Sequence, residues 1–180
     1  QSRMTLEITY KELKRQVGRF IGYGRDPDSY SDTDKTTDVD DCIRNGLRSF
    51  YFPSTGYRWS FLQPQSSLTL SSGTRTYDLP ENFAGIVGTF RHANTSGHQQ
   101  ISVVDETTLR TLYSRSDVSG VPVYASVQVK HASPGVRSVY ETSFYPVPDA
   151  TFALNYQYVV EPEMLDTDAD KPFRSEERRV

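Results

Sequence analysis

Residues 143–165 read SFYPVPDATFALNYQYVVEPEML, and the segment from Thr151 decides the fold. There Phe152, Leu154, Tyr156, Tyr158 and Val160 alternate with Thr151, Ala153, Asn155 and Gln157. A period of two places the first set on one face of a strand and the second on the other, so the strand is half buried. Pro146 and Pro148 lack an N–H and fit only where no ladder bond is needed, which makes the stretch before it a turn. The pair of aromatic-loaded segments therefore predicts a hairpin with one apolar face. Nothing adjacent is equipped for bond-making chemistry.

Working outward, the period-two pattern continues back to about Tyr57. SLTLSS and TRTYDLP flank Ser-Ser-Gly, and AGIVGTFRH and QQISVVD flank a polar turn from Asn94 to Gly97; both read as hairpins. In VPVYASVQVK the residues Val121, Val123, Ala125, Val127 and Val129 share a face, and VRSVYETSFYP completes the run. A short helix, DETTLRTLYSR, interrupts it with Leu109, Leu112 and Tyr113 on one side. About seven strands with short connections predict an antiparallel sandwich or barrel.

Before Tyr57 the period is helical. Tyr10, Leu13, Val17, Phe20 and Ile21 recur at three- and four-residue steps, Thr9 and Glu12 form a capping box, and Gly22 and Gly24 end the helix. A second helix carries Val39, Ile43, Leu47 and Phe50, with a start at Thr37 and a stop at Pro53. Two short helices with one stripe each pair antiparallel. The fold class is α+β: a helical part over 1–56, a β-domain over 57–162 and an extended C-terminal arm over 163–180.

Composition bounds the function. The formal net charge is −3, which gives no electrostatic footprint for general nucleic-acid binding. One cysteine, Cys42, excludes an internal disulfide and points to folding in a reducing compartment; it reads as a small buried hydrophobe. No apolar run is long enough for a membrane span and no secretory signal opens the chain. Gln1 to Arg3 precede Met4 and are left out of the fold argument.

Chemistry-bearing residues are sparse. Asp26, Asp28, Asp32 and Asp34 have suggestive spacing, but a calcium loop of the EF-hand type needs Gly and Glu where Ser31 and Thr37 stand. A solvated, helix-capping loop is the expectation, with no metal. His92, His98 and His131 have no H-x-x-x-H or H-E-x-x-H partner, and no P-loop, dinucleotide fingerprint or nucleophile elbow occurs. The NTS at Asn94 reads as a turn. Trp59 beside Phe61 reads as an aromatic plug between helices and sheet rather than a sugar or base platform. No catalytic residue, cofactor or metal site is expected. The tail, with Phe173, Arg174, Arg178 and Arg179, offers an aromatic anchor and guanidinium groups for a partner's carboxylates.

The order of YRWSFLQP, YDLPENFAGIVG, GVPVYASV, SFYPVPD and YQYVVEPEMLDTDADKP resembles the head-to-tail adaptor (connector) proteins of tailed bacteriophages. The resemblance runs from Thr9 to Pro172, with Tyr77 to Phe83 and the segment at Gly120 its most specific parts. Many relatives continue with a long helix after the Asp-Lys-Pro segment, whereas this chain stops at Val180. The resemblance implies a structural, non-enzymatic virion protein at the head–tail junction, made in the host bacterial cytoplasm. Its implied partners are the portal protein, neighbouring copies in a ring of twelve, and tail or nozzle proteins, with DNA passing passively and no membrane. It further implies that Leu13, Val17, Phe20, Ile43, Leu47 and Phe50 face neighbouring subunits, and that Phe173, Arg174, Arg178 and Arg179 bind the portal. A different reading of the same strands is a β-sandwich binding module for carbohydrate or receptor. A hydrolase would need two carboxylates brought together from distant loops.

Overall fold

In the computed structural model, residues 8–30, 32–93 and 97–173 are described. The chain forms two compact units. One comprises the residues up to Phe61 together with those from Pro162 onward; the other runs from Leu62 to Glu161.

The first unit is built on α1 (Tyr10–Ile21) and α2 (Thr33–Tyr51). The Thr9 side chain accepts from the Glu12 amide, as its capping box predicts, and Gly22 closes the helix at φ 87°, a conformation that costs a glycine little. α2 starts four residues earlier than Thr37, because the Asp32 carboxylate accepts from the Asp34 amide and supplies the cap. Tyr10 meets Asp40 and Tyr23 meets Asp38, so the start of α1 and the turn after it are both tied to one short stretch of α2. Tyr10, Val39, Ile43 and Leu165 form the buried centre, with Leu13, Val17, Tyr23, Tyr30 and Leu47 packed around it. Cys42 lies one residue off this stripe and is exposed, contrary to the buried position expected of it.

The second unit holds β1 (Gln65–Leu70), β2 (Thr76–Asp78), β3 (Phe83–His92), β4 (Ser102–Val103), α3 (Glu106–Arg115), β5 (Ser119–Gly120), β6 (Tyr124–Ser133), β7 (Val136–Tyr145), β8 (Val147–Pro148) and β9 (Phe152–Val160). Sheet order is β1-β9-β3 in one layer and β2-β7-β6-β4 in the other, with β5 and β8 as a separate parallel pair. The pairing of β4 with β6 is parallel and the remaining ladders of the two layers are antiparallel. Among the described residues the layers are open sheets, not a closed barrel.

The alternation along β9 holds: Leu154, Tyr156, Tyr158 and Val160 are buried while Ala153 and Asn155 are exposed. The hairpin does not. β9 pairs with β1 and β3, and β7 pairs with β2 and β6, so the Pro-rich link carries the chain from one layer to the other. In that link the Val147 amide bonds to the Val118 carbonyl, and β8 joins β5. The physical reason is the apolar face itself. A strand in the same sheet as β7 leaves that face uncovered, whereas one in the opposite sheet brings the two faces together. Phe90 of β3 packs against Phe144 of β7 at 5.2 Å and against Tyr156 at 5.2 Å, and Phe83 packs against Tyr140 at 5.4 Å. These rings are the sandwich core.

The Ser-Ser-Gly signal also joins layers rather than neighbouring strands. β1 ends at fully buried Leu70, the chain turns, and β2 enters the other sheet. Tyr77 locks that corner: its hydroxyl bonds to the Ser71 amide at 2.8 Å and reaches the Ser71 and Thr74 carbonyls at 3.1 and 2.9 Å. Between β3 and β4 the predicted hairpin is reduced to a bridge of Phe90 with Ile101, because β4 is taken up by β6. The centre of that turn, Asn94 to Ser96, lies outside the described residues.

Candidate functional site

Every described residue that the sequence singled out for partner contact belongs to the first unit. Its organisation starts from the N-terminus of α1, where the leading backbone amides have no intrahelical acceptor. Here they find acceptors more than 150 positions along the chain: Tyr10 N–H bonds to the Asp170 carbonyl at 2.8 Å and Lys11 N–H to the Asp168 carbonyl at 3.2 Å. The returning segment is shaped by Asp170, whose carboxylate accepts the Asp166 and Thr167 amides at 2.8 and 2.7 Å and the Thr167 hydroxyl at 2.6 Å. Those three donors, the Thr167 hydroxyl first, hold its carboxyl below the usual carboxylate range. Lys14 pairs with Asp168 at 2.7 Å, and Leu165 enters the core.

The segment is fastened again at its far end. The Tyr51 hydroxyl donates to the Phe173 carbonyl at 3.0 Å, and the Phe173 ring lies 6.2 Å from Phe61. Phe61 continues into a cluster with Phe50, Trp59 and Tyr57, whose neighbouring rings are 4.8 to 6.5 Å apart. The Trp59 indole N–H donates to the Phe50 carbonyl at 2.6 Å and satisfies one of the orphan acceptors at the end of α2. The described part of the expected arm is therefore packed on its own helices. What made residues 163–173 look extended, a charged stretch without periodicity, is a segment held by one leucine, backbone bonds and a carboxylate-organised turn.

The four residues assigned to portal contact separate. Phe173 belongs to the aromatic cluster, while Arg174, Arg178 and Arg179 lie outside the described residues. The six assigned to subunit contact separate too. Ile43 is buried in the chain's own core, and Leu13, Val17 and Leu47 pack around it. Phe20 is 91% exposed and Phe50 48% exposed. Phe52 and Tyr57, which the sequence reading did not assign, are more than half exposed and extend the apolar surface at the end of α2. An aromatic just past the last turn of a helix gives no periodic clue to its exposure.

The acid-rich loop serves the helices. Asp26 caps the turn at Pro27–Ser29, Asp28 pairs with Lys11 at 2.7 Å, Asp32 caps α2, and Asp38 and Asp40 accept the Tyr23 and Tyr10 hydroxyls at 2.9 and 2.7 Å. Burial and the Asp40 bond push the Tyr10 hydroxyl well above its ordinary pKa, and Lys11 lowers that of Asp28 through their shared hydrogen bond. Among the described residues no three His, Cys, Asp or Glu side chains converge as a metal set. No helix is long and apolar enough to cross a membrane among them.

A family model described as SU10 adaptor protein matches residues 8–177, nearly the full chain. The chain belongs to the SU10 adaptor family. Membership makes it a phage head-to-tail adaptor, a structural component of the virion that works between portal and tail proteins. No protein of curated function matches the chain significantly. Phe20, Phe50 and Phe52, among the large exposed apolar groups of the helical unit, sit at helix ends.

Proposed function

We propose that copies of this adaptor assemble as a ring of twelve beneath the portal, extend or seal the DNA channel, and offer the platform on which tail or nozzle proteins build. The observation that carries this reading is the pair of apolar surfaces on one helical unit, Phe20 at the end of α1 and Phe50, Phe52 and Tyr57 at and beyond the end of α2. A ring requires two different surfaces on each subunit, because its contacts are heterologous. The neighbour-facing set narrows accordingly to Phe20 and Phe50, with Leu13, Val17, Ile43 and Leu47 shaping the helices that present them. Arg174, Arg178 and Arg179 reach for portal carboxylates, and Phe173 anchors the arm that carries them. DNA passes without being held: a chain of net charge −3 lacks the surplus of cations that grips phosphates through counterion release.

Negative-stain imaging of the adaptor mixed with the portal from the same phage tests this. A second ring stacked on the portal is expected. Bare portals beside free adaptor, with portal activity verified, would overturn it. Phe20→Asp is expected to abolish ring formation while leaving the circular dichroism spectrum unchanged.

A further inference from the structure

Two histidines that are six positions apart in sequence come together at the edge of the β-unit. His92 ends β3 and His98 follows the turn, and their ring centroids are 4.9 Å apart with planes inclined by 49°. Phe152, the first residue of β9, stands edge-on to both rings at 5.6 and 5.9 Å and forms an apolar wall. His92 Nε2 is buried and has no hydrogen-bond partner among the described residues. A buried polar atom of that kind is usually satisfied by water or an ion. The Pro122 backbone is a hydrogen-bonding neighbour of the same ring.

The spacing selects among the possibilities. A metal–nitrogen bond of about 2.0–2.1 Å puts an imidazole centroid about 3.2 Å from the ion, so two rings on one ion at about 100–109° have centroids about 4.9–5.2 Å apart. The observed separation falls at the short end of that range. We propose that His92 and His98 form a two-imidazole site for a borderline divalent transition-metal ion such as Ni²⁺, Cu²⁺ or Zn²⁺. Imidazole donors without a converging carboxylate suit these ions and not Mg²⁺ or Ca²⁺, which take oxygen ligands. The Pro122 carbonyl accepts a hydrogen bond from one His92 nitrogen, which leaves the lone pair of the other for the ion, the usual outer partner of a metal-bound imidazole. Exposed His98 leaves the ion a path from solvent, and water completes the coordination.

Tag-free full-length protein is titrated with Ni²⁺ alone, then Zn²⁺ alone, by calorimetry. One equivalent binding in the micromolar range is expected, weakened at least tenfold in His98→Ala and unchanged in His131→Ala. His131, exposed on β6 beside Ser133, is the third histidine and serves as the control. Uptake absent up to millimolar metal, retained in His98→Ala, or lost equally in His131→Ala would overturn the site. Paramagnetic Ni²⁺ broadening of the Phe152 ring resonances is a second readout, independent of any variant, and its absence at saturation would overturn the placement.

Discussion

Leu165→Ala is the most informative single change, because it asks whether the segment after Pro162 belongs to the helical unit. Leu165 is 6% exposed and packs with Tyr10, Val39 and Ile43. Truncating a leucine at that depth removes its transfer free energy and leaves a cavity, at a cost of about 2–5 kcal/mol. The cluster around Leu165 holds four buried residues among those described, and the surrounding shell is partly exposed, so it can relax inward. We expect about 3 kcal/mol, a large share of what a small unit possesses. Met164, the preceding residue, is 70% exposed and provides the control, with Met164→Ala expected within about 0.5 kcal/mol of the parent. The only tryptophan, Trp59, lies in the helical unit, so its fluorescence in a denaturant titration reports on that unit. A Leu165→Ala midpoint as close to the parent's as that of Met164→Ala would refute the reasoning, and the segment would have to be regarded as a detached arm.

Other changes test individual contacts. Gly18 sits inside α1, where alanine ordinarily gains about 1 kcal/mol, but a Cβ there would lie 1.7 Å from the Tyr30 hydroxyl. Gly18→Ala is therefore expected to destabilise the parent by about 1 kcal/mol and to stabilise a Tyr30→Ala background; the same sign in both would rule out the clash. Trp59→Phe removes the bond to the Phe50 carbonyl and should cost about 1 kcal/mol by circular dichroism, with no change meaning that water replaces the indole. Tyr113, whose hydroxyl donates to the Phe144 carbonyl, has its pKa pushed up to about 12, mainly by burial. A raised folded-state pKa contributes stability that is complete below pH 10 and lost as pH climbs toward 12. Tm should fall across that window and fall less steeply in Tyr113→Phe, so parallel Tm curves would exclude Tyr113 as a contributor.

Local signals were legible in the sequence wherever the physics is local. The alternation at 152–160, the Thr9 cap and the Gly22 stop each depend on residues within one turn or one strand, and each appears as expected; of the capping box, only the Thr9 half forms, since the Glu12 carboxylate pairs with Arg15. Partner choice for strands was not legible. Ser-Ser-Gly and the Pro-rich link look like hairpin turns because both reverse the chain. The chain instead changes sheets at each, since only opposite sheets can bury Phe90, Phe144 and Tyr156 against one another. The same limit applies to the candidate surfaces. Helical period placed Ile43 and Phe50 on one stripe, but Leu165, more than 120 residues further on, covers Ile43 while Phe50 keeps half its surface exposed. The histidine pair escaped because its spacing fits no helix or strand motif: one residue ends a strand and the other lies in irregular chain.

The returning segment also determines how a truncation must be interpreted. Stopping the chain after Phe173 leaves Leu165 in the core, the Asp168 and Asp170 carbonyls on the α1 amides and the Tyr51 bond to Phe173. It removes residues 174–180, which carry the arginines proposed to reach the portal, and should leave the denaturation midpoint unchanged while abolishing portal docking. Stopping after Pro162 removes all of those contacts, exposes the first amides of α1, and should lower the stability of the helical unit by more than Leu165→Ala does. If both truncations lose docking, only the first speaks to portal recognition, because the second has lost the unit that presents the site. If the shorter truncation docks normally, the arginines are dispensable and the portal contact must lie on the folded units. If it unfolds the helices instead, residues 174–180 carry stability that the Tyr51 and Phe61 contacts at Phe173 do not account for.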